Sequence, residues 1–355
     1  MTDSPVTIIG AGISGLTAAY TLHQAGLTPR VLEASSRIGG RVDSLYSKDG
    51  QAIADLGPTW IWPPFQPIIA RWIQALELAT FAQYDQGDAV LEGFAPTLRR
   101  QPLPGQYGMA RLVGGPQQLI KTLTDALPAE TIAVQTPIHE ISQCADGSLL
   151  LHSNNSVIHT EYALVATPPR IAAERIKLPS ALSSPVLSTL QTMPTWMAAQ
   201  ARAVIRYDKP FWREQGLSGR IASRKGPLFE AHDHTSAHGH ASLFGFISTP
   251  AAQRDPARLS DATLAQLQRC LGPQAAQPIE ISIRDWATET WICSPTDKTD
   301  TPAHPAVGPS LLRNAHLGGR LWFCGAETAD QSPGLIEGAL AAGEAAANAV
   351  LHVMG

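Results

Sequence analysis

The stretch VTIIGAGISG, residues 6–15, joins a short apolar run to a glycine-rich turn, and a helical pattern follows from Leu16 to Ala25. A second short run, Val31-Leu32, ends at Glu33, 18 positions after the last glycine of the turn. A strand, a G-x-G-x-x-G turn, a helix and a second strand that ends in a carboxylate form the βαβ unit that binds dinucleotides. The stretch therefore predicts a Rossmann-like α/β fold with a nucleotide cofactor at the start of its first helix.

The glycines of this turn have separate physical roles. Gly10 permits the tight turn, Gly12 lets the backbone approach a pyrophosphate, and Gly15 lets the helix pack closely on the strand. Ile13 and Ser14 lie in the turn beside the helix N-terminus, which offers backbone N–H groups and the positive end of its dipole to the phosphates. The turn therefore predicts a pyrophosphate site made of backbone.

The segment after the second strand extends this prediction. The carboxylate of Glu33 would accept hydrogen bonds from ribose hydroxyls and repel a 2′-phosphate, which favours FAD or NAD over NADP. Glu33 continues into Ala34 and then into the pair Gly39-Gly40, where the backbone can pass close to a phosphate. Arg41 follows directly and would supply a counter-charge.

The composition excludes several classes of protein. The 355 residues include 26 basic and 30 acidic side chains, so the net charge of −4 gives no support to a nucleic-acid partner. Charged residues are 16% and apolar residues 44% of the chain, which argues against disorder. No apolar run reaches the roughly 18 residues of a membrane span, and no basic segment precedes the first apolar run. Widely spaced cysteines without a CxxC pair are typical of reduced thiols in a cytoplasmic protein: Cys144, Cys270, Cys293 and Cys324.

Six stretches follow one another in an order that resembles a known family. They are LEASSRIGGRV (32–42), DLGPTW (55–60), LVGGPQ (112–117), TPI (136–138), YDKPFW (207–212) and WFCGAETADQSPGLIEGALAAGEAAA (322–347). Together they resemble the flavin-containing amine oxidase family, the monoamine and polyamine oxidases, over nearly the whole chain. The resemblance selects FAD as the cofactor.

The resemblance also implies a fold, a two-domain flavoprotein whose domains are interleaved along the sequence. An FAD-binding domain of the Rossmann-like, glutathione-reductase type is expected from residues 1–70, 112–187 and 285–355. An α+β substrate-binding domain with an antiparallel sheet is expected from residues 71–111 and 188–284. The substrate pocket would lie between the two domains.

The FAD-binding residues follow from the same resemblance. The DLG loop would pass the flavin ring, a strand at Ile138 would meet the adenine, and residues 325–327 would meet the ribityl chain. A helix that starts after Gly334 would direct its positive end at the pyrimidine edge of the flavin. The predicted set is Gly10, Gly12, Ile13, Ser14, Gly15, Glu33, Ala34, Gly40, Arg41, Gly57, Pro58, Thr59, Trp60, Ile138, Gly325, Glu327, Gly334, Leu335 and Ile336.

The family oxidises a C–N bond: hydride leaves a carbon held against flavin N5, and water hydrolyses the imine. Family members commonly place a Lys near N5, bridged by a water, and the matching position ten residues before Trp212 holds Arg202. An Arg can orient a water but holds its proton too firmly to act as a base. Arg202 is therefore a catalytic candidate, and the electron acceptor, oxygen or another, stays open. The alternative is that Arg202 is an ordinary strand residue in a shifted register.

The aromatic cage of the family is incomplete in this sequence. Its C-terminal Tyr aligns with Leu335, and no Tyr occupies residues 291–295, where the other position falls. Trp60 and Leu335 are therefore the remaining catalytic candidates. Other tryptophans either provide aromatic walls or pack in the core: Trp62, Trp196 and Trp291.

The leading hypothesis is an enzyme, an FAD-dependent amine oxidase or dehydrogenase that acts on a small amine. The incomplete cage leaves two alternatives open. One is a flavin reaction on another donor, either a dihydronicotinamide or a carbon–carbon bond that is desaturated. The other is a flavin-binding scaffold without activity.

Three further expectations concern Cys293, a histidine-rich stretch and the C-terminus. FAD is expected to be held without a covalent bond, since Cys293 lies beside Pro295 in a stretch whose length does not match the family. The histidines of residues 232–240 are expected in a solvated hairpin loop and not at a metal site. The sequence stops soon after the flavin-signature helix, so the C-terminal membrane anchor of mitochondrial monoamine oxidases is not expected.

Overall fold

The chain folds around two large sheets, which are joined by a short two-stranded ribbon and its loop. The computed structural model describes residues 4–154, 156–300, 304, 305 and 307–355. Its strands are β1 (Val6–Ile9), β2 (Arg30–Leu32), β3 (Ser44–Tyr46), β4 (Ala52–Asp55), β5 (Thr80–Ala82), β6 (Asp88–Glu92), β7 (Arg99–Pro102), β8 (Ala110–Leu112), β9 (Ile132–Ala133), β10 (Ile138–Gln143), β11 (Leu149–Ser153), β12 (Val157–Thr160), β13 (Tyr162–Val165), β14 (Ala201–Arg206), β15 (Leu217–Ser223), β16 (Leu228–Asp233), β17 (Ser242–Ile247), β18 (Glu280–Asp285) and β19 (Leu321–Phe323).

The helices pack mainly around the first sheet. They are α1 (Ile13–Gln24), α2 (Pro67–Ala75), α3 (Pro116–Asp125), α4 (Pro169–Arg175), α5 (Ser184–Thr192), α6 (Phe211–Glu214), α7 (Pro256–Leu271), α8 (Pro295–Thr299), α9 (Ser310–Arg313) and α10 (Ile336–Met354). Helix α10 lies so close to α1 that a Cβ at Gly343 would lie 2.1 Å from the carbonyl oxygen of Ser14.

The first sheet has five parallel strands in the order β19-β13-β1-β2-β9. All four residues of the central strand β1 are buried, as expected for a parallel strand that is covered on both faces. Val6 and Ile8 pack with α1, α3 and α10, whereas Ile9 packs with the antiparallel sheet β10-β11-β12 and helices α4 and α5. The carboxyl ends of β1, β2 and β13 therefore meet at one edge, where the glycine-rich turn begins.

The second sheet has seven strands in the order β18-β14-β17-β16-β15-β6-β7, and only the β15–β6 pair is parallel. One face packs against α7 in an apolar core that includes Ile205, Leu243 and Leu267. The other face carries Val204, Phe244 and Phe246, which pack with Ala54 and Leu56 of the ribbon segment. Arg202 belongs to β14, the strand that also carries Val204.

The loop that follows β4 is held from both sides. The indole Nε1 of Trp286 donates to the carbonyl oxygen of Leu56 at 3.0 Å, and the backbone N–H of Asp55 donates to His234 Nε2 at 2.9 Å. This loop, residues 56–60, therefore has a fixed path between the two sheets.

Element boundaries differ from the sequence patterns in explicable ways. The first helix begins at Ile13, three residues before its apolar pattern, because the glycine turn itself forms the first helical turn. Residues 260–271 have a helical pattern in the sequence, and α7 begins four residues earlier, at Pro256, because Asp255 caps it by accepting from the N–H of Ala257 at 3.1 Å. The dipeptide Asn154-Asn155 is a turn signal in the sequence, and its second residue lies outside the described ranges.

Candidate active site

The turn between β1 and α1 presents its backbone to a cavity. Gly10 has a φ of 108°, which L side chains rarely adopt. At Gly15 an added Cβ would lie 1.9 Å from the carbonyl oxygen of Gly10, so α1 can start this close to β1 only with a glycine. Gly12 caps α1 without a side-chain hydrogen bond, and it lines the cavity together with Ile13 and Ser14. The first N–H groups of α1 have no intrahelical partner and are suited to bind an anion.

Glu33 faces the same turn from the end of β2. Its Oε2 accepts from the N–H of Ala11 at 2.8 Å, and its Oε1 accepts from the N–H and the hydroxyl of Ser35, each at 2.8 Å. A carboxylate has further lone pairs for a ligand, and Glu33 lines the cavity beside Ala34. The carboxylate is therefore fixed by its neighbours in the position that suits ribose hydroxyls.

One continuous cavity of about 330 Å³ extends from Glu33 to Leu335. All but three of the predicted FAD-binding residues line it, and so does Arg202. A carboxylate, a helix N-terminus and an arginine at one end, with a second helix N-terminus at the other, match the donors and acceptors that FAD requires. The lining residues from the predicted set are Gly10, Gly12, Ile13, Ser14, Glu33, Ala34, Gly40, Arg41, Gly57, Pro58, Thr59, Trp60, Ile138, Gly334, Leu335 and Ile336.

Three predicted residues are not on the cavity wall: Gly15, Gly325 and Glu327. The two glycines serve packing instead, since a Cβ at Gly325 would lie 2.4 Å from the carbonyl oxygen of Thr167. Glu327 is fully buried and accepts from Arg41 Nη1 at 2.6 Å and from Arg41 Nη2 at 3.0 Å. Glu327 therefore holds the side chain of Arg41, which does line the cavity.

The second helix N-terminus lies at the far end of the cavity. Gly334 has a φ of 78°, and a Cβ there would lie 2.7 Å from the Cβ of Trp196. Leu335 is the N-cap of α10 and has no side-chain capping bond, and Leu335, Ile336 and Ala339 line the cavity. The positive end of the 19-residue helix α10 therefore faces the cavity.

Arg202 is the cation at this end of the cavity. Its side chain is 7% exposed, and its Nη1 donates to the carbonyl oxygen of Gly57. Its guanidinium carbon lies 5.1 Å from the ring centre of Phe244 and 4.9 Å from that of Phe246. Burial lowers the pKa of Arg202 to about 10, while Asp55 opposes the shift, so the group remains charged at neutral pH. Its Nε has no hydrogen-bond partner among the described residues.

A glycine is also required at position 57. A Cβ there would lie 2.1 Å from the carbonyl oxygen of Arg41, so only a glycine lets the DLG loop cross the segment that follows β2. The crossing brings Arg41, Gly57 and Arg202 together from three distant parts of the sequence. It also places Pro58, Thr59 and Trp60 along the cavity wall.

Aromatic side chains form much of the wall around Arg202. The four tryptophans considered as walls from the sequence, Trp60, Trp62, Trp196 and Trp291, all line the cavity. Sequence reasoning missed further lining residues, among them Met197, Phe246 and Trp286. Phe246 faces the cavity because it pairs with Arg202 across β14 and β17, and strand pairing of this kind leaves no signal within either strand.

The histidines of residues 232–240 lie at the hairpin between β16 and β17, as expected, but two of them are not solvated. His234 is fully buried, and its Nε2 accepts from the N–H of Asp55 at 2.9 Å and lies 3.1 Å from Arg111 Nη2. Burial and the Arg111 cation lower the pKa of His234 to about 4, so the ring is neutral. His232 is 8% exposed. Among the described residues no cluster of His, Cys, Asp and Glu could hold a metal ion.

Cys293 does not line the cavity, although its neighbours Trp291 and Ile292 do. The thiol is buried, and burial raises its pKa to about 12, with Asp297 adding to the shift. A thiol with a high pKa is a poor nucleophile at neutral pH.

Comparison with known proteins identifies the family. The model of the flavin-containing amine oxidoreductases matches residues 13–107 and 86–351. The chain belongs to this family. It is therefore an FAD-dependent oxidoreductase that acts on amines, and neither a flavin reaction on another donor nor a scaffold without activity is favoured.

Individual members of the family are similar over most of their length. The probable flavin-containing monoamine oxidase A of Dictyostelium discoideum is 24% identical, over 95% of this chain and 95% of that protein. The flavin-containing amine oxidase B of Canis lupus familiaris is 26% identical, over 99% of this chain and 86% of that protein.

Solved structures share the fold. Cyclohexylamine oxidase from Brevibacterium oxydans superposes with a TM-score of 0.85 at 21% identity, over 99% of this chain and 100% of that one. Putrescine oxidase bound to putrescine superposes with a TM-score of 0.81 at 19% identity, over 99% of both chains. Within the described ranges, no helix has both the length and the apolar character needed to cross a membrane.

Proposed function

We propose that this flavoenzyme oxidises primary monoamines with an apolar alicyclic or aryl group. When bound, FAD accepts the hydride that leaves the carbon next to the amine nitrogen, and water hydrolyses the resulting imine. The observation that carries the proposal is the charge around Arg202: a buried cation lies at the amine end, and the two described carboxylates that line the cavity bond to other protein groups.

The carboxylates that line the cavity are both engaged elsewhere. Glu33 accepts three hydrogen bonds at the opposite end, and Glu289 forms an ion pair with Arg284 at 2.7 Å. A substrate ammonium near Arg202 would therefore lose its hydration and be repelled by the guanidinium. Asp55, the carboxylate that acts on Arg202, already lies 3.7 Å from Arg111 Nη2 and 3.3 Å from His234 Nε2. The bound amine is expected to be neutral, and a diamine, which keeps a second ammonium at neutral pH, is expected to be a poor substrate.

The three catalytic candidates have distinct proposed roles. Arg202 orients a water or the amine lone pair as a fixed hydrogen-bond donor, since its pKa of about 10 keeps it protonated and unable to act as a base at neutral pH. Trp60 and Leu335 hold the apolar body of the amine between an indole and an aliphatic side chain. All three line the cavity.

The two sheets support the proposed division of the chain. Every strand of the parallel sheet comes from residues 1–70, 112–187 or 285–355, which we assign to FAD binding. The seven-stranded sheet takes its strands from residues 71–111 and 188–284, apart from the last residue of β18, and we assign these ranges to substrate binding.

Two features of the cysteines support further assignments. The position and high pKa of Cys293 support FAD held without a covalent bond. All four thiols are free, which supports a cytoplasmic location. Oxygen is the electron acceptor we propose to test first.

The experiment is an anaerobic titration of the purified holoenzyme that follows flavin absorbance at pH 7.5. Cyclohexylamine and benzylamine are expected to bleach the flavin, with kcat/KM at least about 10-fold above that of putrescine because a second buried charge costs more than 1.4 kcal/mol. The kcat/KM of the monoamines is expected to rise with pH as the neutral amine becomes abundant. Equal use of putrescine, or bleaching only by a reduced nicotinamide, would contradict the proposal.

A further inference from the structure

Gln83 follows β5 directly and joins three distant parts of the chain through its side-chain amide. Its Oε1 accepts from Trp60 Nε1 at 2.8 Å. Its Nε2 donates to the carbonyl oxygens of Tyr84 at 3.0 Å and of Asp233 at 2.7 Å. The residue is 7% exposed, so water does not replace these partners easily.

The three contacts allow a single orientation of the amide. In a flipped amide, Nε2 of Gln83 would face the N–H of Trp60, and Oε1 would face two carbonyl oxygens. The flipped amide would therefore place donor against donor and acceptor against acceptor in a buried site. The amide is therefore locked, and through it the indole nitrogen of Trp60 is tied to the end of β16 at Asp233.

Aromatic rings surround Trp60 on the side of the seven-stranded sheet. Ring centres lie 4.8 Å away for His232, 5.6 Å for Phe244 and 6.2 Å for Phe246. Trp60 also borders the cavity, which Gln83 itself does not line. Apart from the amide of Gln83, nothing in the described structure bonds to the indole nitrogen, so one hydrogen bond holds the ring against rotation towards the cavity.

We propose that Gln83 is a positioning residue that sets amine specificity through Trp60. The hydrogen bond keeps the indole in one orientation and so preserves the width of the cavity beside Arg202. The proposal rests on the proposed function, because it concerns the width available to the amine. Without the bond, the indole rotates into the cavity, which excludes wide alicyclic and aryl amines but still admits a slim n-alkylamine.

The test compares holoenzyme variants by the ratio of kcat/KM for benzylamine to that for n-butylamine. The variants are Gln83→Leu, Trp60→Phe, their combination and, as a matched control, Gln215→Leu, whose exposed amide contacts Gln274 Oε1 at 3.3 Å. A second readout is the Kd of 2-phenylpropan-2-amine, from the change in flavin absorbance on binding. This amine has no hydrogen on the carbon next to nitrogen, so it binds without reacting.

Loss of one hydrogen bond predicts that Gln83→Leu lowers the ratio about 10-fold through KM and raises the Kd by a similar factor. The kcat for n-butylamine is expected to stay within about 2-fold of wild type, and Gln215→Leu is expected to change nothing. Trp60→Phe removes the same bond, so adding Gln83→Leu to it is expected to have no further effect on the ratio.

Gln83→Glu provides a variant that keeps the acceptor for Trp60. Its ionised carboxylate would face two carbonyl oxygens, whereas the protonated form donates to one of them, so the ratio is expected to recover as the pH falls. If Gln83→Leu does not yield folded holoenzyme, this recovery decides the question, and its absence overturns the proposal.

Three other results also overturn the proposal. The first is an unchanged kcat/KM ratio and Kd in Gln83→Leu, and the second is a full further loss of the ratio when Gln83→Leu is added to Trp60→Phe. The third is an equal loss of kcat/KM for benzylamine and n-butylamine in Gln83→Leu. Failure of the proposed function is distinguishable, since the wild-type flavin is then reduced equally well by putrescine or by no amine at all. The Kd of the unreactive amine still tests Gln83 under those conditions.

Discussion

The two ends of the cavity are built in different ways. At the Glu33 end, the backbone of one short segment supplies the donors, and glycines fix its path. At the Arg202 end, side chains from β14, β17, the DLG loop and α10 meet, and ring contacts and single hydrogen bonds hold them. The first end tolerates almost no added atoms, whereas the second can change side chains without a change in backbone. A family that keeps one cofactor and varies its substrates is suited to this division.

The largest expected effects separate two glycines of the same turn. Gly15→Ala places a Cβ 1.9 Å from the carbonyl oxygen of Gly10, so it is expected to destabilise the FAD-free protein by at least about 3 kcal/mol. Gly12→Ala meets only the Cα of Gly40, at 3.9 Å, and leaves folding intact. Its methyl group lines the cavity, however, and is expected to weaken FAD binding about 100-fold.

Urea unfolding of the FAD-free proteins and fluorescence titration with FAD measure these two effects. If both variants unfold alike, or if Gly12→Ala binds FAD normally, the glycines do not have the separate roles assigned to them. That result would also remove the contrast between the two ends.

Glu327 joins two distant segments beside Gly334, because its carboxylate pairs with Arg41 and also accepts from the N–H of Trp196 at 3.3 Å. Glu327→Gln is expected to cost about 3 kcal/mol in unfolding free energy, since it leaves the partly buried Arg41 without a counter-charge. Glu344→Gln is the control, because Glu344 pairs with Arg71 on the surface, and its cost is expected to stay under about 0.5 kcal/mol. If chemical unfolding gives similar losses of unfolding free energy for Glu327→Gln and Glu344→Gln, the buried ion pair stabilises the protein no more than the surface pair.

The smallest expected effect concerns Arg202. Arg202→Lys retains a cation but replaces a planar donor, held by two rings and Gly57, with a flexible one. FAD affinity is expected to stay within about 2-fold, while reoxidation of the reduced flavin by oxygen changes about 10-fold. Stopped-flow reoxidation measures the rate, and Arg206→Lys, on the same strand but paired with Glu280 at the surface, is the control. An unchanged rate removes Arg202 from this step.

The same contrast explains what could be predicted from the sequence. The Glu33 end could be predicted because strand, turn, helix and carboxylate are contiguous in sequence. Each glycine of the turn is also required there for a local steric reason. Arg202 was found only through its distance from Trp212 in a segment that resembles the family. Phe246 was missed because its place beside Arg202 depends on the register between β14 and β17.

Buried polar groups were the least predictable. His234 occurs in a stretch rich in histidine and glycine that is typical of an exposed hairpin, yet it binds Asp55, 179 positions away. Gln83 has no sequence signal at all, since its partners Trp60 and Asp233 lie on separate segments. In both cases the long-range contact, and not the local pattern, decides burial.

The packing of α10 on α1 has a consequence for biosynthesis. The hydroxyl of Ser14, in the first turn of α1, bonds to the carbonyl oxygen of Cys324, 310 positions later, and Gly343 packs on the same turn. A growing polypeptide on the ribosome therefore exposes the glycine turn long before the helix that covers it has been made. The cavity wall is therefore complete only after translation has produced α10, so closure of the FAD site comes late in synthesis.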